Sequence, residues 1–132
     1  PGQQLFWIVI DADKLIGVIG FERYGKYGLL RSMVTAHEHR NKGIAGLLVN
    51  ELYAYSKKEN LKEIYLLTET AQKYFERKGF ETIPRDEAPS RIRESKEFSH
   101  LCPSTAVVMK KELFKSSPPA GGDGGKKKGY EY

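Results

Sequence analysis

Cysteine is nearly absent from this chain, which has only Cys102 among 132 residues. A single cysteine excludes an intrachain disulfide and a metal site built from cysteines of this chain. We expect Cys102 to be a small buried hydrophobe rather than a reactive thiol, and this cysteine usage favours a cytoplasmic protein. Long apolar runs are also missing, since no stretch approaches the ~20 residues that a membrane span requires. The segment 1–4 resembles no signal peptide, so no membrane partner is expected.

The formal net charge is +5, but four lysines and two acidic residues in the segment 115–132 account for +2 of it. That segment is rich in Gly, Pro, Ser and Lys, and such low-complexity composition predicts disorder. We therefore predict one domain over 1–114 and a disordered tail over 115–132. The domain is only mildly basic, and no basic stripe interleaved with aromatic residues indicates a nucleic-acid partner. A small polyanionic ligand fits this charge equally well.

Apolar periodicity predicts a mixed α/β domain that begins with a three-stranded meander. The predicted strands are 6–10, 15–22, 29–35, 63–67, 80–83 and 105–109, with turns at 11–14 and 24–28 and a loop at 84–89. Helices are predicted over 43–58 and 70–78, the second ended by Gly79, with a helical turn over 91–97. The uninterrupted apolar strand 63–67 favours a position between parallel neighbours. The apolar face of the first helix consists of Ile44, Leu47, Leu48, Leu52 and Tyr55.

A basic loop leads from the third strand into the first helix. The first four N–H groups of a helix have no intrahelical partners, and the helix dipole adds positive charge there, so an anion binds readily. Glycine and alanine at the start of the helix let a pyrophosphate approach the backbone. An ordinary strand-to-helix connection with solvated charges is the alternative. The candidate anion-binding residues are His39, Arg40, Asn41, Lys42, Gly43, Ile44, Ala45 and Gly46.

Two short motifs, at this spacing and with these elements between them, carry a family resemblance. Arg40-x-x-Gly43-x-Ala45 opens the first helix and Lys78-Gly79-Phe80 ends the second, and together they resemble the GNAT superfamily of acetyl-CoA-dependent N-acetyltransferases. The resemblance implies a GNAT fold, α/β (α+β in some schemes), in which helices flank a mixed, mostly antiparallel sheet. It also implies acetyl-CoA as co-substrate, and that the fold's usual N-terminal strand and helices are missing from this sequence.

Four further segments sharpen the resemblance to small bacterial acetyltransferases named for arsenic resistance. These enzymes are themselves similar to the acetyltransferase domain of N-acetylglutamate synthases. The closer resemblance implies a small amino-acid-like acceptor, with an arsenic-containing amino acid as one candidate. Glutamate acetylation in arginine synthesis and a non-catalytic acyl-CoA-binding module are the alternatives, and a homodimer stays open. The segments are 20–25, 29–32, 65–68 and 97–106.

The resemblance also assigns cofactor contacts. It implies that the backbone of Met33, Val34 and Thr35 pairs with the pantetheine arm and donates an N–H to the thioester oxygen. Thr68 and Phe75 are further predicted cofactor contacts. Phe75 stands where many members have a tyrosine that protonates the departing thiolate, and Tyr74 lies roughly 100° around the helix from it.

Fewer residues of the sequence indicate how the acceptor is bound and activated. An α-amine with a pKa near ~7.7–8.0 is about a tenth neutral at pH 7, so a modest base suffices. Glu22 is the candidate base, and a solvent-facing carboxylate paired with a cation is the alternative. Ser104 or Thr105 is the candidate proton donor.

Arginines are the candidate partners of an acceptor carboxylate. Arg31 interrupts an apolar strand, so we expect it to pair with a carboxylate, from either Glu22 or the acceptor. Arg93, with Arg91, is a weaker substrate candidate. The three histidines have no metal-ligand spacing, and no metal is expected.

Overall fold

The computed structural model describes residues 2–36, 43–96, 98 and 106–113. Within them, six strands form one sheet in the order β1-β2-β3-β4-β6-β5. Among these described strands, β3 and β4 are the one pair that is parallel, so the mixed α/β, mostly antiparallel fold is confirmed. The strands are β1 Gln3–Asp11, β2 Lys14–Tyr24, β3 Tyr27–Thr35, β4 Glu63–Thr68, β5 Glu81–Ile83 and β6 Val107–Glu112. The helices are α1 Ile44–Lys58, α2 Gln72–Arg77 and α3 Ser90–Arg93, with a 3-10 turn at Arg85–Glu87.

Tight turns close the two hairpins of the meander. Ala12 and Asp13 both have positive φ, 52° and 66°, as a two-residue type I′ turn requires. The second hairpin is tighter than the predicted turn 24–28, because Tyr24 pairs directly with Tyr27 across Gly25 and Lys26. Gly25 has φ +64°, a conformation that suits glycine.

A β-bulge interrupts the pairing of β2 with β3. Ile19 pairs with Met33 and Phe21 pairs with Leu30, so Arg31 and Ser32 together lie opposite Gly20. The extra residue keeps both Leu30 and Met33 on the face that packs against α1. Bulges bend a strand and often lie beside active sites.

The pairing of β3 with β4 is short, which opens a cleft in the sheet. It covers only Tyr27 to Leu29 against Glu63 to Tyr65. Beyond that point β4 continues to Thr68 paired with β6, while β3 continues to Thr35 paired with β2. We call the gap between residues 30–35 of β3 and 66–68 of β4 the β3/β4 cleft. The expectation that β4 has parallel neighbours on both sides is wrong, since β6 is antiparallel to it; an apolar strand looks the same beside either kind of neighbour.

Helix α1 packs on one face of the sheet, but its buried face differs from the predicted one. Leu48 and Leu52 are buried as expected, whereas Leu47 is 53% exposed. Val49 and Tyr53 are buried instead, because α1 also packs against the end of α2. The Tyr53 hydroxyl donates a hydrogen bond to the Lys78 carbonyl at 3.0 Å. This contact fixes the end of α2 beside α1.

The remaining elements agree with the sequence prediction in kind and differ at their ends. Helix α2 is shorter than predicted, and Gly79 ends it with φ +97°. The last strand begins at Val107 rather than at Thr105 and extends to Glu112. A second apolar cluster covers the face of the sheet opposite α1 and includes Leu29, Tyr65 and Ile92. None of the described helices is long and apolar enough to cross a membrane.

Candidate functional site

Two helices flank the open end of the β3/β4 cleft. Parallel strands have their carboxyl ends at the same edge of a sheet, and ligands of open α/β sheets bind outside those ends. β3 ends at Thr35 and α1 begins at Ile44, while β4 ends at Thr68 and α2 begins at Gln72. The amino end of α1 and the helix α2 therefore both lie at this edge.

The amino end of α1 is shaped to accept an anion. Gly43, the N-cap residue, has φ +81° and no side-chain cap, and the first turn contains no acidic residue. The helical ladder starts with Leu47 N–H donating to Gly43 O at 3.0 Å, so the amides of residues 44–46 precede it. A Cβ atom at position 43 would meet no described atom within 4 Å. The geometry fits a diphosphate approaching the backbone.

Lys78 brings a cation to the same place. Its Nζ atom lies 3.8 Å from where a Cβ atom at Gly46 would be, and 5.7 Å from the centre of the Tyr74 ring. Among the described residues, no carboxylate forms an ion pair with it. An ammonium beside the positive end of a helix is electrostatically unfavourable, and an anion between them removes that repulsion. Sequence reasoning did not place Lys78 beside the first turn of α1, because 32 positions separate it from Gly46.

The residues predicted to contact the cofactor differ in their burial and packing. Met33 packs partly against the core beside α1, whereas Val34 is 57% exposed. The Thr68 hydroxyl accepts a hydrogen bond from the Ala71 N–H at 2.9 Å and so shapes the turn before α2. Phe75 is 4% exposed and packs edge-on against Phe80. The cofactor contacts of these residues stay predictions. His39, Arg40, Asn41, Lys42, Ser104 and Thr105 lie outside the described residues.

Tyr74, next to Phe75, has a buried hydroxyl. Its oxygen has no hydrogen-bond partner among the described residues, and burial raises the pKa of Tyr74. Leaving a buried hydroxyl without a partner costs about 1–3 kcal/mol, so such a group calls for a reason. One explanation is that a bound molecule supplies the missing hydrogen-bond partner. Sequence reasoning set Tyr74 aside by comparison with the neighbouring position, and nothing in the sequence reveals the orphaned hydroxyl.

Glu22 lies at the closed end of the β3/β4 cleft, on the face of the sheet opposite α1. It pairs with Leu29, the last residue of β3 that pairs with β4. Its side chain is only 7% exposed. Three donors hold the carboxylate: the Tyr24 hydroxyl at 2.7 Å, the Gln4 amide at 3.0 Å and Arg31 Nη1 at 3.1 Å.

Arg31 has the carboxylate partner expected of it, and its role toward an acceptor stays a prediction. Arg31 pairs with Glu22 and also donates to the Gln4 side chain at 3.1 Å. Glu22 is indeed paired with a cation, but it is buried rather than solvent-facing. Burial, followed by the hydrogen bond to Glu22, raises the pKa of Tyr24 to about 12. Tyr24 therefore remains a hydrogen-bond donor throughout the physiological pH range.

A cavity of about 350 Å³ opens beside this carboxylate. Arg91 lies on its wall, with the guanidinium carbon 5.5 Å from the centre of the Tyr24 ring. Arg93, the neighbouring candidate, is not among the lining residues and donates its Nε–H to the Ala88 carbonyl at 2.9 Å. The lining residues are Gly2, Gln4, Glu22, Tyr24, Arg91, Glu94, Ser95 and Lys96. No group of three or more potential metal ligands occurs among the described residues.

Comparisons with known proteins agree with this geometry. The family model of the acetyltransferase (GNAT) domain matches residues 2–82. An uncharacterized N-acetyltransferase of Chlorobaculum tepidum is 31% identical over 88 residues, which cover 66% of this chain and 56% of that protein. The chain thus spans little more than half the length of this curated relative.

Solved structures share the fold. A GNAT-family acetyltransferase from Staphylococcus aureus superimposes with a TM-score of 0.72 at 23% identity, covering 86% of this chain and 70% of that one. N-acetylglutamate synthase from Neisseria gonorrhoeae, in complex with coenzyme A and N-acetyl-glutamate, gives 0.72 at 15% identity, covering 83% and 26%. The sheet with its β3/β4 cleft, the helix that Gly43 caps and the match over 2–82 lead to one conclusion: this chain belongs to the GNAT family of acetyltransferase domains.

Proposed function

We propose that this domain transfers an acetyl group from acetyl-CoA directly to the amine of a small amino-acid-like acceptor. The observation that carries the proposal is the β3/β4 cleft, which has the uncapped amino end of α1 at its open end and a buried carboxylate at its closed end. The first feature suits the phosphates of coenzyme A, and the second suits an amine. Membership in the family supports the same reaction.

The cofactor side rests on the amides of the first turn of α1. We propose that the amides of Ile44, Ala45 and Gly46, with Lys78, hold the pyrophosphate, and that Arg40 adds charge from the preceding loop. Each hydrogen bond to a charged group contributes roughly 1.5–3 kcal/mol. The backbone of residues 33–35 lies along the cleft and is the proposed partner of the pantetheine arm and of the thioester oxygen.

Direct transfer requires one proton acceptor and one proton donor. When bound, acetyl-CoA supplies the acetyl group as a thioester. The amine nitrogen bonds to the carbonyl carbon as the bond from that carbon to sulfur breaks. Glu22, directly or through a water, accepts the proton that the amine loses, and Tyr74 donates a proton to the thiolate that leaves. The orphaned hydroxyl of Tyr74 supports this assignment over Ser104 and Thr105.

We propose a chemical class for the acceptor. An α-amino acid is favoured because the family resemblance implies an amino-acid-like acceptor and because the carboxylate of Glu22 lies on the wall of a cavity, where it can accept a proton from the acceptor's amine. Glutamate and an arsenic-containing amino acid are the two specific candidates. We place the reaction in the cytoplasm, in keeping with the single cysteine, and leave both a monomer and a homodimer open.

Calorimetry with acetyl-CoA, followed by measurement of thiol release with each of the twenty L-amino acids and an arsenical analogue, tests this function. We expect binding, and thiol release with at least one amino acid. A Glu22→Gln variant should bind acetyl-CoA like the parent chain and release thiol at a rate reduced by roughly 10²-fold or more. Binding without thiol release for any amine would instead support the acyl-CoA-binding module.

A further inference from the structure

The carboxylate of Glu22 has room for one more hydrogen-bond donor. An ionised carboxylate offers about four acceptor positions. Gln4 and Arg31 both donate to Oε2, whereas Tyr24 is the one donor to Oε1 among the described residues. The side chain is 7% exposed, and the cavity of about 350 Å³ opens beside it. A ligand in this cavity can therefore present a cationic donor to Oε1.

Arg91 supplies the opposite charge on the same cavity wall. Its guanidinium carbon lies 5.5 Å from the centre of the Tyr24 ring, whose hydroxyl donates to Glu22. One tyrosine side chain thus links the two charged groups. No described carboxylate forms an ion pair with Arg91, so its N–H groups are available to a ligand. A planar guanidinium edge matches a carboxylate with two parallel hydrogen bonds.

The other two candidate arginines already donate hydrogen bonds to groups of the protein. Arg31 donates to Glu22 and Gln4, and Arg93 donates to the carbonyl of Ala88. Arg91 is thus the cavity-lining arginine with an available edge. It was a weak candidate in the sequence, where three arginines within apolar or helical segments look alike.

We infer that this cavity is the acceptor subsite and that it takes a free α-amino acid in its zwitterionic form, the ammonium on Glu22 Oε1 and the α-carboxylate on Arg91. The inference rests on the proposed function, because the ligand is the acetyl acceptor. Small-molecule sites occupy about 300–1,000 Å³, and the cavity lies at the lower end of that range. The contact that binds the ammonium also places it beside the group that accepts its proton.

The test compares an amino acid with its α-amide, which keeps the amine and side chain but removes the carboxylate charge. Thiol release is measured at saturating acetyl-CoA with the twenty L-amino acids, their α-amides, spermidine and a lysine-rich peptide. We expect the parent chain to prefer acids over amides by roughly 10- to 100-fold in kcat/KM. Arg91→Gln should raise KM for the acid by a similar factor, abolish the preference and leave kcat nearly unchanged, and Arg91→Lys should recover part of the preference.

Two controls separate this loss from misfolding or a change in overall charge. Calorimetry should give the same acetyl-CoA affinity for Arg91→Gln as for the parent chain. Titration of the preferred amino acid into each protein without acetyl-CoA should show that Arg91→Gln loses equilibrium affinity for the amino acid by the same factor. Lys58→Gln, at the far end of α1, removes a surface charge away from the cavity and should preserve the preference.

Any one of four results would overturn the inference. The first is that the parent chain uses acids and amides equally. The second is that Arg91→Gln keeps the preference for acids, and the third is that Arg93→Gln loses that preference instead. Thiol release with spermidine or the peptide but with no amino acid also overturns the inference, while leaving acetyl transfer intact. The absence of thiol release with every amine refutes the proposed function itself, so the two failures are distinguishable.

Discussion

Substitution of Gly43 separates backbone strain from a blocked anion site. Gly43 has φ +81°, and a Cβ atom there would meet no described atom within 4 Å. Alanine at this position therefore costs the free domain roughly 1–2 kcal/mol of left-handed strain and causes no clash within the protein. With acetyl-CoA present, the same Cβ atom lies beside the first-turn amides. Loss of one hydrogen bond to a phosphate, worth roughly 1.5–3 kcal/mol, lowers the affinity about 10- to 150-fold.

Asparagine distinguishes these two effects because it tolerates the left-handed conformation yet is bulkier than alanine. Gly43→Asn should therefore unfold in urea at nearly the parent concentration and still lose most of its acetyl-CoA affinity in calorimetry. Gly25→Asn is the matched control, since Gly25 has φ +64° and lies in the β2 to β3 turn, which is linked through Arg23 to the carboxyl end of α1 rather than to its amino end. It should bind acetyl-CoA normally. Parent-like affinity in both Gly43 variants refutes the placement of the pyrophosphate.

Three other perturbations test separate parts of the site. Lys78→Gln should weaken acetyl-CoA binding about 3- to 30-fold and reduce its salt dependence, whereas Lys73→Gln, exposed on the same helix, should not; equal affinities would contradict the role of Lys78. Tyr74→Phe removes a buried hydroxyl that has no partner among the described residues, so we expect unchanged or slightly higher stability in urea and roughly 10- to 100-fold slower thiol release; unchanged turnover would contradict the role of Tyr74 as proton donor. The pKa of Tyr24 is raised to about 12, so the stability it contributes is fully present below pH ~10 and is lost as the pH rises toward 12. Urea midpoints should fall between pH 9 and 12 by an amount that Tyr24→Phe reduces, and an identical fall in that variant would contradict the assignment.

Local signals made much of the fold predictable. Alternating and continuous apolar runs locate the strands within a few residues, and Gly79 marks the end of α2 correctly. The side of α1 that is buried was less predictable, since periodicity alone does not show that α2 also packs on it. Tyr53 is buried because it reaches the Lys78 carbonyl, and Leu47 is exposed as a result of the same orientation.

The site depends on contacts between distant parts of the chain. The donors to Glu22 come from three strands, Gln4 on β1, Tyr24 on β2 and Arg31 on β3. Their meeting depends on strand register, which the bulge opposite Gly20 shifts. No sequence pattern specifies that shift. The Gly43 motif, by contrast, is local, and the start of α1 was predictable for that reason.

Amide hydrogen exchange of the full chain, with and without acetyl-CoA, tests whether the cofactor lies in the β3/β4 cleft with its phosphates on the amino end of α1. We expect slower exchange at the amides of residues 33–35 and 44–47 when acetyl-CoA is bound, with little change in β1. Unchanged exchange at both segments under saturating acetyl-CoA, or protection confined to the cavity beside Arg91, would contradict that placement.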